Sequence, residues 1–281
     1  MTAAVKPPVV LIHGLWLNPT SWEHWVERFE AAGHRVLAPG WPGADASVEE
    51  LNRDPSPLNG VGVDQAADHY QAIVDSLGEQ PILMGHSFGG ALVQILLSRG
   101  RGAAGVAIHP AQVRGVIRMP ASTLRATFPA FKNPANRNRA VALTPGQWHY
   151  AFCNTLFRED SDALYRRYAV PATARPLFQA AVANFNPRAA TAVDFRKPDR
   201  APLLIIGTDR TDHVIPRALT REAKAHYHSG IVELKEFPGR PHFTVGVPGW
   251  QEVADYALEW ANRLAPARPA PPTAGVGPTT D

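Results

Sequence analysis

Short apolar runs alternate along the chain with longer segments whose apolar residues recur at helical spacing. Six of the short runs have the length of buried strands and end at turn-forming residues. They cover residues 9–12, 35–38, 82–84, 105–108, 203–206 and 232–237. Amphipathic helices are predicted at residues 21–32, 63–77, 88–99, 217–227 and 250–264. This alternation predicts an α/β fold with a mostly parallel central sheet and helices on both faces.

One long interval interrupts the alternation. Residues 109–200 carry helical patterns broken by prolines but no strong strand pattern, and a structureless loop of that length is unexpected inside a domain. We therefore predict a helical cap, residues 113–196, inserted over the carboxyl ends of the strands, where open α/β sheets place their sites. Residues 1–112 and 197–265 then form the core. The Pro-rich residues 266–281 are predicted to be a disordered tail.

The sequence Gly85-His86-Ser87-Phe88-Gly89 directly follows the third apolar run and leads into an apolar helical segment. It places a serine at a sharp turn from strand to helix. Small residues are needed on both sides, because side chains there would keep the helix from starting close against the strand. A serine in this context is a candidate nucleophile, which needs a nearby base and a third group that orients the base.

Five short motifs together resemble those of the α/β-hydrolase fold family, in its cap-bearing bacterial, esterase- or lipase-like form. They are His13-Gly14-Leu15-Trp16 after the first strand, Gly40-Trp41-Pro42-Gly43 after the second, the Ser87 turn, Asp212-His213-Val214-Ile215-Pro216, and Gly239-Arg240-Pro241-His242. The resemblance spans most of the chain, from residue 8 to residue 264. It identifies the fold but leaves the substrate open, because this fold supports many reactions.

The order serine, acid, histidine in the family implies the two partners of Ser87. His242, in the loop after the sixth strand, is the predicted base. The acid is Asp212 or Asp209, and Asp212 is favoured because the acid of similar enzymes commonly stands four residues before the proline that closes its loop, here Pro216. Other histidines compete for the role of base: His13, His86, His109, His149 and His213.

The resemblance also implies two main-chain donors for the negative oxygen that forms when a carbonyl is attacked. One is the N–H of Phe88, directly after the serine. The other is expected at Leu15, with Trp16 as the alternative. Aromatic residues of the cap, with Phe128, Phe131 and Phe157 among them, are expected to cover an apolar pocket. The residues expected to contact substrate are Trp16, Trp148, Phe152 and Phe243.

Composition narrows the possible partners. The formal net charge is +3, and no run of Lys and Arg suggests a nucleic acid. No apolar run approaches the roughly 20 residues that cross a bilayer, and no signal-peptide pattern precedes the first strand, so we expect a cytoplasmic protein without a membrane partner. The single cysteine, Cys153, excludes an intrachain disulfide. No metal or cofactor is expected, and the protein is expected to be a monomer or a homodimer.

The motifs therefore predict a serine hydrolase that acts on a carboxylic ester, lactone or thioester of a small to medium apolar molecule. The same three residues could instead serve C–C bond hydrolysis, acyl transfer, cyclisation or perhydrolysis, because water exclusion and pocket shape decide among these reactions. A non-catalytic ligand-binding protein is the third interpretation. Serine at the turn argues against the dehalogenases of similar fold, which carry aspartate there.

Overall fold

Eight strands are present in the computed structural model, which describes residues 6–265. They are β1 (Val9–Ile12), β2 (Val36–Leu37), β3 (Ile82–His86), β4 (Ala104–Ile108), β5 (Ala140–Val141), β6 (Ala172–Thr173), β7 (Leu203–Gly207) and β8 (Val232–Glu236). Six of them form one sheet in the order β2-β1-β3-β4-β7-β8, and every pairing in it is parallel. The predicted α/β fold with a mostly parallel central sheet is confirmed.

Burial explains which apolar runs became central strands. Every residue of β1, β3, β4 and β7 is buried, as expected where helices cover both faces of a parallel sheet. The edge strands β2 and β8 are partly exposed. Strand β2 is also shorter than the predicted residues 35–38, since only two of its residues pair with β1.

The predicted helices are present with small shifts at their ends. The core contains α1 (Glu23–Ala31), α2 (Val48–Arg53), α3 (Val63–Ser76), α4 (Phe88–Ser98), α9 (Arg217–His226) and α10 (Trp250–Leu264). A 3₁₀ turn, Pro19–Trp22, replaces the predicted start of α1. The short helix α2 was not predicted, although Ser47 and Glu50 form the reciprocal capping pair that starts it.

The segment between β4 and β7 carries four α-helices. It contains α5 (Ala121–Phe131), α6 (Pro145–Phe152), α7 (Arg158–Tyr168) and α8 (Arg175–Ala181). Pro145 and Pro176 lie in the first turns of α6 and α8, where a missing N–H leaves no helical hydrogen bond unmade. Strands β5 and β6 form an antiparallel pair that the sequence did not predict. We call residues 113–196 the insertion.

The predicted disordered tail, residues 266–281, lies outside the described residues. Among residues 6–265, no helix combines the length and the apolar character that crossing a membrane requires.

Candidate active site

Ser87 occupies the sharp turn between β3 and α4. Its φ of 56° and ψ of −122° lie outside the regions that most residues adopt, so the serine is held in a strained conformation. A Cβ on Gly85 would lie 2.2 Å from Gly89 O, and a Cβ on Gly89 would lie 2.0 Å from Ile12 O. Neither position can accept a side chain. The two glycines are thus required for the helix to start directly against the sheet.

The strand order brings four polar side chains to the carboxyl edge of the sheet. Ser87 follows β3, His109 follows β4, Asp212 follows β7 and His242 follows β8. Because β4 is the neighbour of β7 in the sheet, His109 reaches the site beside Asp212. Ser87 is 6% exposed, and the other three residues are fully buried. These residues are far apart in sequence and meet only through the topology of the sheet.

His242 connects the serine to the carboxylate. Its Nε2 lies 3.0 Å from Ser87 Oγ, and its Nδ1 lies 2.8 Å from Asp212 Oδ2. An ionised carboxylate only accepts hydrogen bonds, so Nδ1 of His242 carries the proton and Nε2 is free to accept from the serine hydroxyl. This is the arrangement that proton transfer from Ser87 to His242 requires.

Four donors surround the carboxylate of Asp212. Its Oδ1 accepts from the backbone N–H groups of Val214 at 2.7 Å and Ile215 at 2.8 Å. Its Oδ2 accepts from His242 Nδ1 and also, at 2.8 Å, from His109 Nδ1. Burial raises the pKa of Asp212, but the attraction to His242 and the hydrogen bonds from both histidines outweigh burial and hold this pKa well below its usual value. The carboxylate therefore stays ionised in a fully buried site.

Asp209, the alternative acid, directs its carboxylate to neighbouring loop residues. Its Oδ1 accepts from the N–H of Thr211 at 2.9 Å and from the Thr211 hydroxyl, and its Oδ2 accepts from the N–H of Gly239 at 3.3 Å. The hydrogen bond from the Thr211 hydroxyl lowers the pKa of Asp209. The geometry favours Asp212 as the partner of His242 and makes Asp209 a residue that holds the loop.

His109 has a place that sequence reasoning did not anticipate. It was a competitor for the base, but its Nδ1 donates to Asp212, whereas His242 contacts Ser87. Burial lowers the pKa of His109, which keeps its ring neutral. Its φ of 42° lies in the left-handed region, which is uncommon for a residue with a side chain. The available signal was a histidine placed directly after a buried strand, at the edge where the other polar residues gather.

Two histidines of the motifs that competed for the role of base, His86 and His13, have structural contacts instead. His86 Nε2 donates to the carbonyl of His242 at 2.7 Å, and burial lowers the pKa of His86 well below its usual value. His13 Nε2 accepts from the N–H of Trp41 at 3.3 Å, so its Nδ1 donates to Gly14 O at 2.9 Å. Burial lowers the pKa of His13 to about 4. Both rings are therefore neutral at pH 7 and support the loops around Ser87.

A cavity of about 490 Å³ opens at Ser87. The core contributes Leu15, Trp16, Phe88 and His242 to its lining, and helices α5 and α8 of the insertion supply much of the opposite wall. Helix α5 contributes Thr123, Leu124, Thr127, Phe128 and Phe131. The cavity has a volume typical of small-molecule sites.

The cavity is mostly apolar. Among the described residues that line it, none is Lys, Arg, Asp or Glu. Four polar lining groups already donate to main-chain carbonyls: Thr123 Oγ1 to Val214 O at 2.8 Å, Thr127 Oγ1 to Thr123 O at 2.8 Å, Trp16 Nε1 to Val141 O at 2.9 Å, and Gln112 Nε2 to Arg118 O at 2.5 Å. A ligand in this cavity would meet apolar surface with Ser87 at one end.

The structure places the four aromatic residues expected to contact substrate in two different environments. Trp16 lines the cavity, whereas the lining formed by the described residues does not include Trp148, Phe152 or Phe243. Trp148 stacks on Phe152 with ring centroids 4.4 Å apart, and Phe152 meets the ring of His242 edge-on at 5.2 Å. All three are almost fully buried and pack behind His242. Aromatic lining comes from Phe128 and Phe131 instead, while Phe157 is 85% exposed.

Main-chain N–H groups lie beside Ser87 where a negative oxygen would form. Phe88 is the first residue of α4, so its N–H has no partner within the helix. Leu15 and Trp16 lie in the turn after β1, and both line the cavity. Within residues 6–265, no main-chain acceptor pairs with the N–H of any of these three residues. The choice of Leu15 over Trp16 stays a prediction.

His109, Asp212 and His242 also form the kind of group that can hold a metal ion, with their ligand atoms within 4.8 Å of one another. The Nδ1 atom of each histidine lies at hydrogen-bond distance from the same carboxylate oxygen. Two N–H donors on one ionised carboxylate explain this grouping without a metal.

A family model described as the alpha/beta hydrolase family matches residues 9–256. The match includes Ser87, His109, Asp212 and His242, and it covers the whole insertion and most of the core.

Solved structures similar to this chain share its fold at low sequence identity. A monoacylglycerol lipase from Paleococcus ferrophilus has a TM-score of 0.65 and 20% identity, over 93% of this chain and 97% of that chain. An extracellular alpha/beta-hydrolase from a Paenibacillus species has a TM-score of 0.64 and 20% identity, over 92% of this chain and 100% of that chain. A pyrethroid hydrolase from Sphingobium faniae has a TM-score of 0.63 and 18% identity, over 91% and 97%. At these identities the likeness shows the fold.

Proposed function

This chain belongs to the alpha/beta hydrolase family, and from this premise we propose that it is a serine hydrolase that cleaves a carboxylic ester, lactone or thioester of a small to medium apolar molecule. The observation that carries the proposal is the 3.0 Å contact between Ser87 Oγ and His242 Nε2 at the end of an apolar cavity. A serine becomes a nucleophile when an oriented base accepts its proton, and that base is in place.

In the proposed first step, Ser87 Oγ attacks the carbonyl carbon of the substrate as its proton moves to His242 Nε2. Asp212, held ionised by its four donors, fixes the tautomer of His242 and stabilises the imidazolium that forms. The negative oxygen would accept from the N–H of Phe88 and from that of Leu15 in the turn after β1. His242 then gives the proton to the leaving group, which leaves an acyl group on Ser87.

In the second step, water takes the place of the leaving group. His242 accepts a proton from the water, which attacks the acyl carbon, and then returns a proton to Ser87 Oγ. The carboxylic acid leaves and the enzyme is restored. Apart from the substrate and this water, no group outside the chain is needed to balance either step.

The character of the cavity supports an uncharged, apolar substrate. Among the described lining residues, none is Lys, Arg, Asp or Glu, and only His242 can become charged, by binding a proton. A carboxylate or ammonium group on the substrate would therefore lose its hydration without gaining a partner. The side-chain donors of four lining residues are already used within the protein, namely Thr123, Thr127, Trp16 and Gln112. Recognition would therefore rest on apolar contact and on the shape of the walls.

We also propose that the insertion acts as the cap of the enzyme, because α5 and α8 supply cavity walls that the core lacks. A cap that supplies both aromatic and aliphatic lining would select the substrate, while the core performs the chemistry. The cytoplasmic location and the monomer or homodimer state stay predictions of the sequence.

Turnover of p-nitrophenyl acetate, butyrate and octanoate tests the proposal. We expect wild-type turnover to exceed that of a Ser87→Ala variant by at least about 1,000-fold, and we expect a fluorophosphonate to label only the wild type. Turnover at equal rates by both proteins would show that Ser87 is not the nucleophile. Binding of the esters without turnover by the wild type would favour the ligand-binding interpretation.

A further inference from the structure

The carboxylate of Asp212 has two histidine partners on the same oxygen. His242 Nδ1 and His109 Nδ1 both lie 2.8 Å from Asp212 Oδ2. The proposed mechanism uses the first contact to orient the base and counts the second only among the donors that keep Asp212 ionised. Since Oδ1 is already occupied by two backbone N–H groups, His109 completes the set of donors around the carboxylate.

His109 is kept in this position at a conformational cost. Its φ of 42° is unfavourable for a residue with a Cβ, and the residue is fully buried, with Nε2 lacking a hydrogen-bond partner among the described residues. Its N–H donates to Ile206 O at 2.8 Å, which fixes the backbone between β4 and β7. Among residues 6–265, the hydrogen bond to Asp212 is the one polar contact that the His109 side chain makes.

We infer that His109 is a positioning residue: its Nδ1–H holds Asp212 in place and limits how strongly that carboxylate stabilises the charged form of His242. The inference rests on the proposed function, in which His242 is the base. A second donor on Oδ2 takes up part of the negative charge that His242 would otherwise face alone. Removal of that donor would leave the full charge of Asp212 facing His242 and would favour the protonated form of His242 in the variant.

Other charged or titratable groups lie near His109 and His242, and the variants used in the test must leave these groups unchanged. His86 lies beside His242 with ring centroids 4.8 Å apart, and its Nε2 donates to the carbonyl of His242. The positive charge of Arg240, on the loop that carries His242, also acts on His109. Neither group is altered in the variants below, so a change in the titration of His242 reports on the contact between His109 and Asp212.

Two substitutions distinguish the effect of losing the Nδ1–H donor from the effect of losing the rest of the His109 ring. His109→Asn keeps an N–H donor close to the position of Nδ1, and asparagine tolerates a positive φ better than other residues with side chains. His109→Ala removes the donor. Both variants remove the outer atoms of the ring, and only His109→Ala also removes the donor, so recovery of the wild-type behaviour in His109→Asn reports on the hydrogen bond to Asp212.

The first measurement is the pH dependence of kcat/KM for p-nitrophenyl butyrate. We expect the acid limb, where His242 becomes protonated, to move upward by on the order of half a pH unit or more in His109→Ala. The limb should return close to the wild-type position in His109→Asn. Equal displacement in both variants, an unmoved limb in His109→Ala, or a downward movement would overturn the inference.

The second measurement does not depend on turnover. With ¹⁵N-labelled histidine, NMR follows the titration of His242 directly in the wild type and both variants. We expect the same upward displacement in His109→Ala and its rescue in His109→Asn, even if no ester is hydrolysed. Absence of turnover with the displacement present would reject the proposed function alone, whereas turnover without any displacement would reject the role of His109 alone.

Discussion

A Cβ built on Gly14 would lie 2.6 Å from the Cβ of Ser87 and 3.3 Å from its Oγ. Gly14 stands in the turn after β1, next to the expected oxyanion donor Leu15. The two turns that meet at the cavity therefore touch at a residue without a side chain. The turn after β1 can lie this close to Ser87 because Gly14 has no Cβ.

Substitution Gly14→Ala should accordingly displace Ser87 from His242. Misplacement of a nucleophile by about 1 Å can cost about 100-fold, and we expect at least that loss in kcat/KM for p-nitrophenyl butyrate. Gly146→Ala is the matched control, because Gly146 is exposed in α6 and its nearest contact for a new Cβ is the flexible Arg158 at 3.8 Å. Equal activity of the two variants would contradict a close packing of Gly14 on Ser87.

The two aspartates of the acid loop should differ sharply when each is changed to asparagine. In Asp212→Asn, the N–H groups of Val214 and Ile215 favour the amide oxygen at the Oδ1 position, so the NH₂ group faces His242 Nδ1. His242 would then carry its proton on Nε2 and could not accept from Ser87, and kcat/KM should fall by about 10,000-fold.

In Asp209→Asn we expect a loss below about ten-fold, because Asp209 contacts Thr211 and Gly239 and orders the loop at a distance from the chemistry. Both variants are compared by kcat/KM on the same ester after thermal unfolding has shown that they fold. A greater loss in Asp209→Asn than in Asp212→Asn would reverse the assignment.

The parts of the site that could be predicted from the sequence are those encoded locally or by chain order. The glycines around Ser87 identify the turn because steric exclusion acts within a few residues. Asp212 and His242 followed from the order of the motifs, and the structure brings both to Ser87. The parallel sheet followed from runs of apolar residues that are buried on both faces.

The remaining features depend on contacts that sequence patterns do not encode. His109 meets Asp212 across 103 residues, and only the adjacency of β4 and β7 makes that contact possible. Aromatic composition identified the insertion as a source of cavity lining but could not separate Trp148, which is packed against Phe152, from Phe128 at the cavity. Aromatic residues are favoured both in a protein core and in the lining of an apolar cavity, so the sequence does not distinguish the two locations.

Variants of one buried aromatic residue, Trp148, and one aromatic residue at the cavity, Phe128, test which of the two contacts substrate. Trp148 is fully buried, so Trp148→Ala should lower the free energy of unfolding by about 3–5 kcal/mol. Phe128 is 61% exposed and lines the cavity, so Phe128→Ala should leave stability within about 1 kcal/mol but alter the relative kcat/KM for butyrate and octanoate esters. Thermal or urea unfolding and the two ester assays provide the readouts. A changed ester preference with unchanged stability in Trp148→Ala would restore it as a substrate contact.

Stability should fall as the pH is lowered below 6.5, the pKa of an unperturbed histidine. The pKa of His13 is lowered to about 4 by burial, so between these values the unfolded chain binds a proton that the folded chain does not. The contribution of neutral His13 to the free energy of unfolding is fully present above pH 6.5. It is lost as the pH falls to about 4, and the total loss is roughly 3 kcal/mol. His86 and His109, whose pKa values are also lowered by burial, act in the same direction.

The variant His13→Gln isolates one part of this dependence. A glutamine Oε1 can accept from the N–H of Trp41 in place of Nε2, and it has no proton to bind in this range. We expect the free energy of unfolding in urea to fall less steeply between pH 6.5 and 4 in the variant than in the wild type, because one buried histidine no longer titrates. Carboxylates also titrate near the lower end of this range, but they are the same in both proteins. The difference between the two stability curves therefore belongs to His13. Parallel curves would show that His13 is not held neutral by the fold.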